Sequence, residues 1–325
     1  MSKPERQEAL LSQFYVVVPV ESSLFTPGCD CLVHRFGNAA DKPGRRPRYT
    51  SDMTDAEWAV VRTMLPVPAW MDGRGGRPES YCHRQMVDAV RYMVDNGIKW
   101  RAMPADLPPW DRVYAFFRRW RDNALIREFH DRLRQRVREA EGRDAEPTAG
   151  IVDSQSVKAD AVVGAASRGF DGGKLVNGRK RHLVVDCLGL VLAVLVTPAS
   201  VTDRNAACGM LPALRESFRR LRLIWADGAY TGDVLTEAAH RLGLRLDIVR
   251  RSDDSRGFTV LPRRWVVERT FAWLMRSRRL ARDYERRSDT SAAFVLWSMT
   301  MVMSRRLARH ATRRQQQRRN LAPAA

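Results

Sequence analysis

Two aspartates follow predicted apolar strands closely enough to share one site. The stretch "AGIVDSQ" predicts a short strand ending on Asp153, and "LIWADGAYTG" predicts a buried strand over 223–226 followed directly by Asp227. In an open α/β sheet, ligands gather outside the carboxyl ends of neighbouring strands. Two carboxylates placed side by side repel each other unless a cation holds them, and Mg²⁺ or Mn²⁺ is suited to such oxygen ligands. The pattern therefore predicts a divalent-metal site. Taken singly, each aspartate is also explained as a cap or a turn former.

Small residues follow both aspartates. Ser154 comes after the first, and Gly228 and Ala229 come after the second, with Gly232 a little further along. Open coordination positions on a magnesium ion bind substrate phosphates. We expect the glycines to leave room for a phosphate of the nucleic-acid backbone to approach the metal.

Glu268 is the candidate for a third carboxylate. It lies in the apolar helical stretch "RRWVVERTFAWL", where an unpaired acid is costly, and this cost is explained if it faces a metal. Arg264 is four residues earlier on the same helical face, so the alternative is a surface ion pair of small energy. Spacing alone leaves both interpretations open.

Other acids are weaker candidates for the third position. Asp253 and Asp254 lie in the turn-like stretch "RSDDSRG", where solvent satisfies them. Glu285 is flanked by arginines at 282, 286 and 287 and has ready partners. Glu268 is therefore the preferred third carboxylate.

The charge balance points to a polyanionic partner. The 325 residues carry a net charge of +19 from 56 Lys and Arg against 37 Asp and Glu, and because six are Lys, 56 − 6 = 50 are Arg. The planar guanidinium fork matches phosphate oxygens, and such an excess favours nucleic-acid binding. Codon bias explains the ratio of Arg to Lys but not the excess over acids. The predicted DNA contacts are Arg118, Arg119, Lys174, Arg179, Lys180, Arg181, His182 and Arg264.

The five cysteines predict neither a disulfide framework nor a regular metal motif. They are odd in number and irregularly spaced. Cys29, Cys31 and His34 have the spacing of part of a metal site, but no second ligand pair follows. The sequence therefore argues against a metal there.

The chain divides by pattern into four segments. Residues 1–48 are predicted to be an irregular tail, and 49–145 a helical, DNA-binding region that begins with a Thr54–Glu57 capping box. Arg118, Arg119 and Trp120 are expected to be exposed or half exposed, which suits a small DNA-binding bundle. One helix of this region is predicted to end at Gly97, and a later hairpin is predicted to turn at Leu188 and Gly189. For the helical region, the alternative is a bundle that only packs on the next domain. Residues 146–300 run strand, hairpin, helix, strand, helix, strand and helix, which predicts an α/β domain with a mixed sheet. That last helix is predicted to be long and basic, over 262–285, and 301–325 to be a basic tail.

Several long motifs resemble one family of enzymes. "IVDSQSVK", "GRKRHLVVDCLGLVLAVLVTPASVTDR", "IWADGAYTG" and "RRWVVERTFAWLMRSRRLARDYE" are similar to bacterial insertion-sequence transposases of the DDE type, in the group named after insertion sequence five. "SDMTDAEW" and "WDRVYAFFRRW" are similar to that group's N-terminal region, so the resemblance runs from about 49 to about 305.

The resemblance implies an RNase H-like catalytic fold with a metal-binding triad at Asp153, Asp227 and Glu268. It also implies cleavage at transposon ends and transfer of the 3′-hydroxyl into target DNA, with two Mg²⁺ or Mn²⁺ ions. The chain departs from the wider family signature, because Leu261 and Met275 stand where Tyr and Lys are usual. The roles of those two residues are not carried over.

We expect a soluble, cytoplasmic protein associated with the nucleoid, acting on DNA as a homo-oligomer. The longest late apolar run, 294–303, is too short to span a bilayer. Two other functions stay open: a metal-dependent nuclease that cuts without joining, and a DNA-binding protein whose catalytic fold is inactive.

Overall fold

The computed structural model describes residues 29, 31–35, 45–71, 80–249 and 264–321. Asp253, Asp254 and Leu261 lie outside the described residues. No helix in the described part of the chain is both long and apolar enough to cross a membrane.

Six strands form one mixed sheet. They are β1 (Ala149–Lys158), β2 (Gly169–Asp171), β3 (Val176–Val185), β4 (Val191–Pro198), β5 (Leu223–Ala226) and β6 (Arg245–Ile248). The central strand β1 pairs antiparallel with β3 and parallel with β5. On the outer sides, β3 pairs antiparallel with β2 and β4, and β5 pairs parallel with β6. This mixed sheet with flanking helices is consistent with the predicted RNase H-like fold. Gly189, at φ 79°, makes the predicted hairpin turn between β3 and β4.

Nine helices are found in the described residues. They are α1 (Leu32–Arg35), α2 (Asp55–Val61), α3 (His83–Asn96), α4 (Trp110–Asp122), α5 (Leu125–Ala140), α6 (Asp203–Ser217), α7 (Asp233–Arg241), α8 (Trp265–Met275) and α9 (Ser288–Leu321). The Thr54–Glu57 capping box is confirmed, and so is the end of α3 at Gly97, which adopts the left-handed conformation at φ 67°.

Each face of the sheet is covered by a hydrophobic core, and successive residues of β1 point into different cores. Ile151 joins the core that also contains helices α2 to α5, α8 and α9. Val152 joins the second core, formed with α6 and α7. The helices before β1 therefore share one core with the last two helices of the chain. The predicted division at about residue 145, between a DNA-binding region and a catalytic domain, therefore stays a prediction about the functions of the two segments.

The first of these cores corrects one expectation about the helical region. Trp120 was expected to be exposed or half exposed, but it is fully buried, with its ring centroid 5.5 Å from that of Trp297 in α9. A buried polar contact joins the same two regions. The Ser304 hydroxyl donates to Glu57 Oε1 at 3.0 Å, and Arg91 donates to the same oxygen at 2.9 Å.

The predicted long basic helix is shorter than expected. It ends at Met275, because Ser277 turns inward to a 2.8 Å contact with Ser298 of α9 and Arg279 pairs with the buried Glu285. The predicted basic tail beyond 301 is instead the continuation of α9.

The first segment also differs from the predicted irregular tail in the part that is described. Val33 of α1 is fully buried and Cys31 almost so, and both belong to the first core. Arg45 donates to both carboxylate oxygens of Asp52 at 2.9 Å. Residues with such contacts are part of the folded unit.

Candidate active site

Asp153 lies in β1, and Asp227 directly follows the adjacent strand β5. Asp153 is in the middle of β1 and not at its end as expected. The parallel pairing of β1 with β5 stops at Ile151 and Trp225, an offset of 225 − 151 = 74 residues. The same offset relates residue 153 to residue 227, so the two aspartates are counterparts two residues beyond the last paired positions. Strand β1 continues because β3 pairs with its other side as far as Lys158. Its β5 side is thus left open just where the two carboxylates stand.

The protonation of Asp153 reflects this crowding. Burial raises the pKa of its carboxyl to about 6, and the neighbouring charge of Asp227 adds to the rise. The backbone N–H of Ser154, which donates at 2.7 Å, and the cations Arg264 and Lys174 oppose it. A raised pKa of this origin marks a carboxylate that lacks a fully compensating positive charge.

Arg264 connects the second and third carboxylates. Its Nη2 lies 3.5 Å from Asp227 Oδ2 and 3.7 Å from Glu268 Oε1. The anticipated Arg264–Glu268 pair therefore exists, and the same guanidinium reaches the site. Although the neighbours of Glu268 in sequence are apolar, 52% of its side chain is exposed. The apolar side of α8, which includes Val267 and Leu274, packs into the core and leaves Glu268 on the outer side.

The two glycines after Asp227 have different roles. A Cβ added at Gly228 would have open space around it, as expected for a residue that leaves room beside the carboxylates. Gly232 adopts φ 151°, which side-chain-bearing residues rarely adopt, and a Cβ there would lie 3.1 Å from the Arg204 guanidinium. Backbone conformation and this local contact therefore account for Gly232.

Two residues beneath the carboxylates were not assigned to the site from sequence. Tyr230 is fully buried, and burial together with the charges of Asp153 and Asp203 raises the pKa of its hydroxyl far above the ordinary value. Asp203 Oδ1 lies 3.3 Å from Lys180 Nζ and 3.7 Å from His182 Nδ1. The sequence signal that could have located Asp203 was the preceding residue, Thr202. Its side chain caps the N-terminus of α6, the helix that begins at Asp203.

Four of the predicted DNA contacts are buried, and this corrects the interpretation of the basic run in β3. Arg179 and Arg181 point to one side of the strand. Arg179 lies 3.2 Å from Asp283 and donates to the Glu285 carbonyl at 2.7 Å, and Arg181 donates to the Leu280 carbonyl at 2.7 Å. Burial lowers the pKa of Arg181 to about 10.

Lys180 and His182 point to the other side, towards Asp203, and are also buried. Burial lowers the pKa of His182 to about 4, so its imidazole is neutral at pH 7. Both faces of β3 are covered. Successive side chains of a strand point to opposite faces, so the charged side chains of this run are buried alternately on the two sides of the sheet. The acidic partners on the Arg179 side lie more than 100 residues away in sequence, which is why a solvent-facing run was expected.

The other predicted DNA contacts remain accessible. Lys174 is exposed at the turn before β3, and its Nζ donates to the Ser154 carbonyl at 3.1 Å, next to the carboxylates. Arg118 is exposed on α4, and Arg119 is half-buried. Arg264 lies between Asp227 and Glu268 as described above.

A strongly basic cavity between α8 and α9 was also missed from sequence. Its volume is about 380 Å³, and it contains five guanidinium groups against the single carboxylate of Asp95. The arginines are Arg269, Arg276, Arg305, Arg306 and Arg309. Burial and the neighbouring charge of Arg306 lower the pKa of Arg269. Arg269 and Arg276 lie in or directly after α8, and the other three lie in α9, at least 305 − 276 = 29 residues further along, so no single run of sequence reveals them.

Comparisons with known proteins agree with this arrangement. Residues 144–303 match the family described as "Transposase DDE domain", and residues 53–130 match "Putative transposase of IS4/5 family". The chain is 34% identical over 125 residues to "Putative transposase for insertion sequence element IS402" of Burkholderia cepacia. This match covers 36% of the chain and 59% of the relative. The two family matches, together with the mixed sheet that brings Asp153 level with Asp227, show that the chain belongs to the IS4/5 family of DDE transposases.

Proposed function

We propose that the chain is a metal-dependent DNA transposase. It cleaves phosphodiester bonds at the ends of its element and joins the 3′-hydroxyl to target DNA. The observation that carries this proposal is the alignment of Asp153 with Asp227 at the open side of β1, with Glu268 linked to Asp227 through Arg264. The family membership supports the same reaction.

The donor set fits divalent cations. Three carboxylates offer only hard oxygen ligands, which suit Mg²⁺ or Mn²⁺. The raised pKa of Asp153 reports a site in which added positive charge would favour the ionised carboxylate. Asp153, Asp227 and Glu268 would hold two ions. When bound, such a pair activates a water for attack on the phosphodiester and stabilises the leaving 3′ oxygen.

The chain's own residues position the DNA. Lys174 and Arg264 border the carboxylates and are placed to hold phosphates on either side of the scissile bond. Gly228 leaves space for the backbone to approach. Ser154 and Tyr230 lie beside or beneath the acids, where they support the site and do not serve as nucleophiles.

The longer path of the DNA follows the remaining exposed positive charge. We assign phosphate contacts to Arg118 and Arg119 of α4 and to the arginine cavity between α8 and α9. Such contacts fix the position of the duplex without reading its bases. The active form on DNA is a homo-oligomer, since two element ends must be processed together.

Single substitutions of the three acids test the catalytic assignment. Asp153→Asn, Asp227→Asn and Glu268→Gln keep the side-chain shapes but remove the charge that binds metal. Each is expected to fold and to bind end-containing DNA while losing at least about 100-fold in Mg²⁺-dependent cleavage, because a metal ligand is lost. Glu237→Gln is the matched control for Glu268→Gln, because its carboxylate is similarly exposed and pairs with Arg241 at i,i+4.

The products distinguish the three functions. Labelled end-containing DNA that is cut and then joined to a target plasmid supports a transposase. Cutting without joining would assign a nuclease, and binding without either reaction would assign an inactive DNA-binding protein. Cleavage by the Glu268→Gln variant at the rate of the Glu237→Gln control would show that the third acid is wrongly assigned.

A further inference from the structure

Four side chains of metal-ligand type lie together away from the carboxylate site. They are Cys29, Cys31, His34 and Cys82, and their ligand atoms all lie within 4.8 Å of one another. Cys82 immediately precedes α3, whereas the other three belong to the segment around α1. The sequence interpretation disfavoured a metal because no second ligand pair follows Cys31. The fourth side chain of the cluster is a single cysteine, 82 − 31 = 51 residues after Cys31, which the fold brings close to the other three.

The spacing of these atoms suits one small tetrahedral ion. Zinc–sulfur bonds of about 2.3 Å and zinc–nitrogen bonds of about 2.0 Å set ligand separations of roughly 3.5–3.8 Å around a tetrahedron. The observed separations stay within 4.8 Å, and Cys31 Sγ lies 3.3 Å from His34 Nδ1. The three cysteines are free thiols and not disulfide partners. Small shifts would therefore close the set around an ion.

We propose that Cys29, Cys31, His34 and Cys82 form a structural zinc site. Three thiolates and one imidazole fill a tetrahedral shell and leave no open position for a substrate, which is the arrangement of structural and not catalytic zinc. Thiolate ligands also select zinc over the hard cations that the carboxylate triad would bind.

The site has a clear structural task. The described residues 29 and 31–35 contain one short helix, yet Cys31 and Val33 are buried in the first core. A zinc ion shared with Cys82 would attach α1 to the beginning of α3. Because the complete ligand set exists only in the folded chain, the free energy of zinc binding would contribute to folding.

Metal analysis of the full chain provides the test. Protein purified without chelators from zinc-supplied cells is expected to hold about one zinc per chain, since one ion fills the four-ligand shell. Replacement of zinc by Co²⁺ should give the strong sulfur-to-metal absorption of thiolate coordination. Cys31→Ser and Cys82→Ser should lose the zinc, whereas Cys187→Ser, which alters an exposed cysteine elsewhere, should retain it. Asp153→Asn should also retain it, which separates this ion from the carboxylate site.

A second measurement on the unaltered chain covers the case in which the serine variants fail to fold. Titration of the native protein with a mercurial thiol reagent should release zinc in step with modification of Cys29, Cys31 and Cys82. Modification without zinc release would overturn the proposal. So would a zinc-free purified chain, a disulfide joining two of these cysteines, or equal loss of zinc from Cys187→Ser.

Discussion

The guanidinium of Arg264 lies 3.5 Å from the carboxylate of Asp227 and 3.7 Å from the carboxylate of Glu268. One cation thus balances part of the charge of two proposed metal ligands. Because 21% of the Arg264 side chain is exposed, solvent reaches it. We infer that Arg264 partly replaces a metal ion when none is bound and turns to a DNA phosphate when one is.

Arg264→Gln tests this double role. Removal of the competing charge is expected to tighten Mn²⁺ binding by about fivefold, an effect on the order of 1 kcal/mol for a charge at this distance in a solvated site. Cleavage at saturating metal should nevertheless fall, because a phosphate contact is lost. Calorimetric Mn²⁺ titration and single-turnover cleavage measure the two effects. Arg241→Gln, at an exposed pair on α7, is the control, and equal metal affinity in both variants would refute the inference.

Glu285→Gln should separate stability from catalysis. Glu285 is buried and paired with Arg279 at 2.7 Å. Loss of its charge leaves the guanidinium less well compensated, so the free energy of unfolding should fall by about 1–3 kcal/mol. Cleavage per folded molecule should be unchanged. Glu268→Gln should show the reverse pattern, and denaturant unfolding combined with active-site-normalised cleavage checks both. An inactive but fully stable Glu285→Gln protein would contradict the assignment of the triad.

Gly178→Ala should be severely destabilising. A Cβ at this position would lie 1.9 Å from the Val157 carbonyl oxygen and 2.7 Å from the Ala159 nitrogen, which are backbone atoms that cannot give way cheaply. We expect a loss of at least about 2–3 kcal/mol, or an insoluble chain. Gly164→Ala, where no atom lies within 4 Å, should stay within about 0.5 kcal/mol of the parent. Thermal unfolding of the two variants makes the comparison, and equal stabilities would show that β1 and β3 pair differently here.

Asp88 should give the fold a measurable pH dependence. Its carboxyl accepts the Met53 N–H at 2.8 Å, and burial raises its pKa from the ordinary value of 3.8 to about 7. Because the folded value exceeds the unfolded one, the protonated group favours the fold, and this contribution is lost as pH rises from about 4 to about 7. Asp88→Asn keeps an acceptor oxygen without this titration. Its stability relative to the parent should therefore increase with pH, by at most about 1.4 kcal/mol per pH unit.

Unfolding of the two proteins in denaturant at pH 5 and pH 7.5 measures the difference. A constant offset between Asp88→Asn and the parent would show that Asp88 keeps the same pKa on folding. Other groups give the stability an opposite dependence on pH. His130 is one of them, because burial lowers its pKa, but such groups affect both proteins alike and cancel in this comparison.

DNA binding should weaken steeply with salt, and the arginine cavity should account for part of the slope. Each phosphate neutralised contributes about −0.9 to the slope of log affinity against log salt. The double change of Arg305 and Arg309 to Gln should reduce the slope by up to about 1.8 without changing sequence preference. Binding of an unrelated duplex between low and physiological salt tests this. A slope equal to that of the parent would remove the cavity from the proposed path of the DNA.

Sequence patterns were informative wherever local chemistry decides the structure. The capping box at Thr54, the end of α3 at Gly97 and the hairpin at Gly189 are confirmed because each depends on a few adjacent residues. The level placement of Asp153 and Asp227 was expected from strand-end positions, although β1 extends further than its apolar run indicated.

What failed depended on distant partners. The basic run of β3 looked solvent-facing because Asp283 and the carbonyls that bind Arg179 and Arg181 lie about 100 residues away. Cys82 was not recognised as a partner of Cys31 for the same reason. The exposure of Glu268 was left open by the sequence, because apolar neighbours along a helix do not specify which face points outwards.

Helix α9 has a consequence for how the protein is made. Its residues complete the core begun by α2, α3 and α5, and Ser304 satisfies the buried Glu57 from 247 positions further along the chain. During synthesis on the ribosome, the apolar faces of the first helices therefore stay uncovered until nearly the whole chain has emerged. A message shortened near its 3′ end would yield a product that retains Asp153, Asp227 and Glu268 and yet lacks the helix that closes its core.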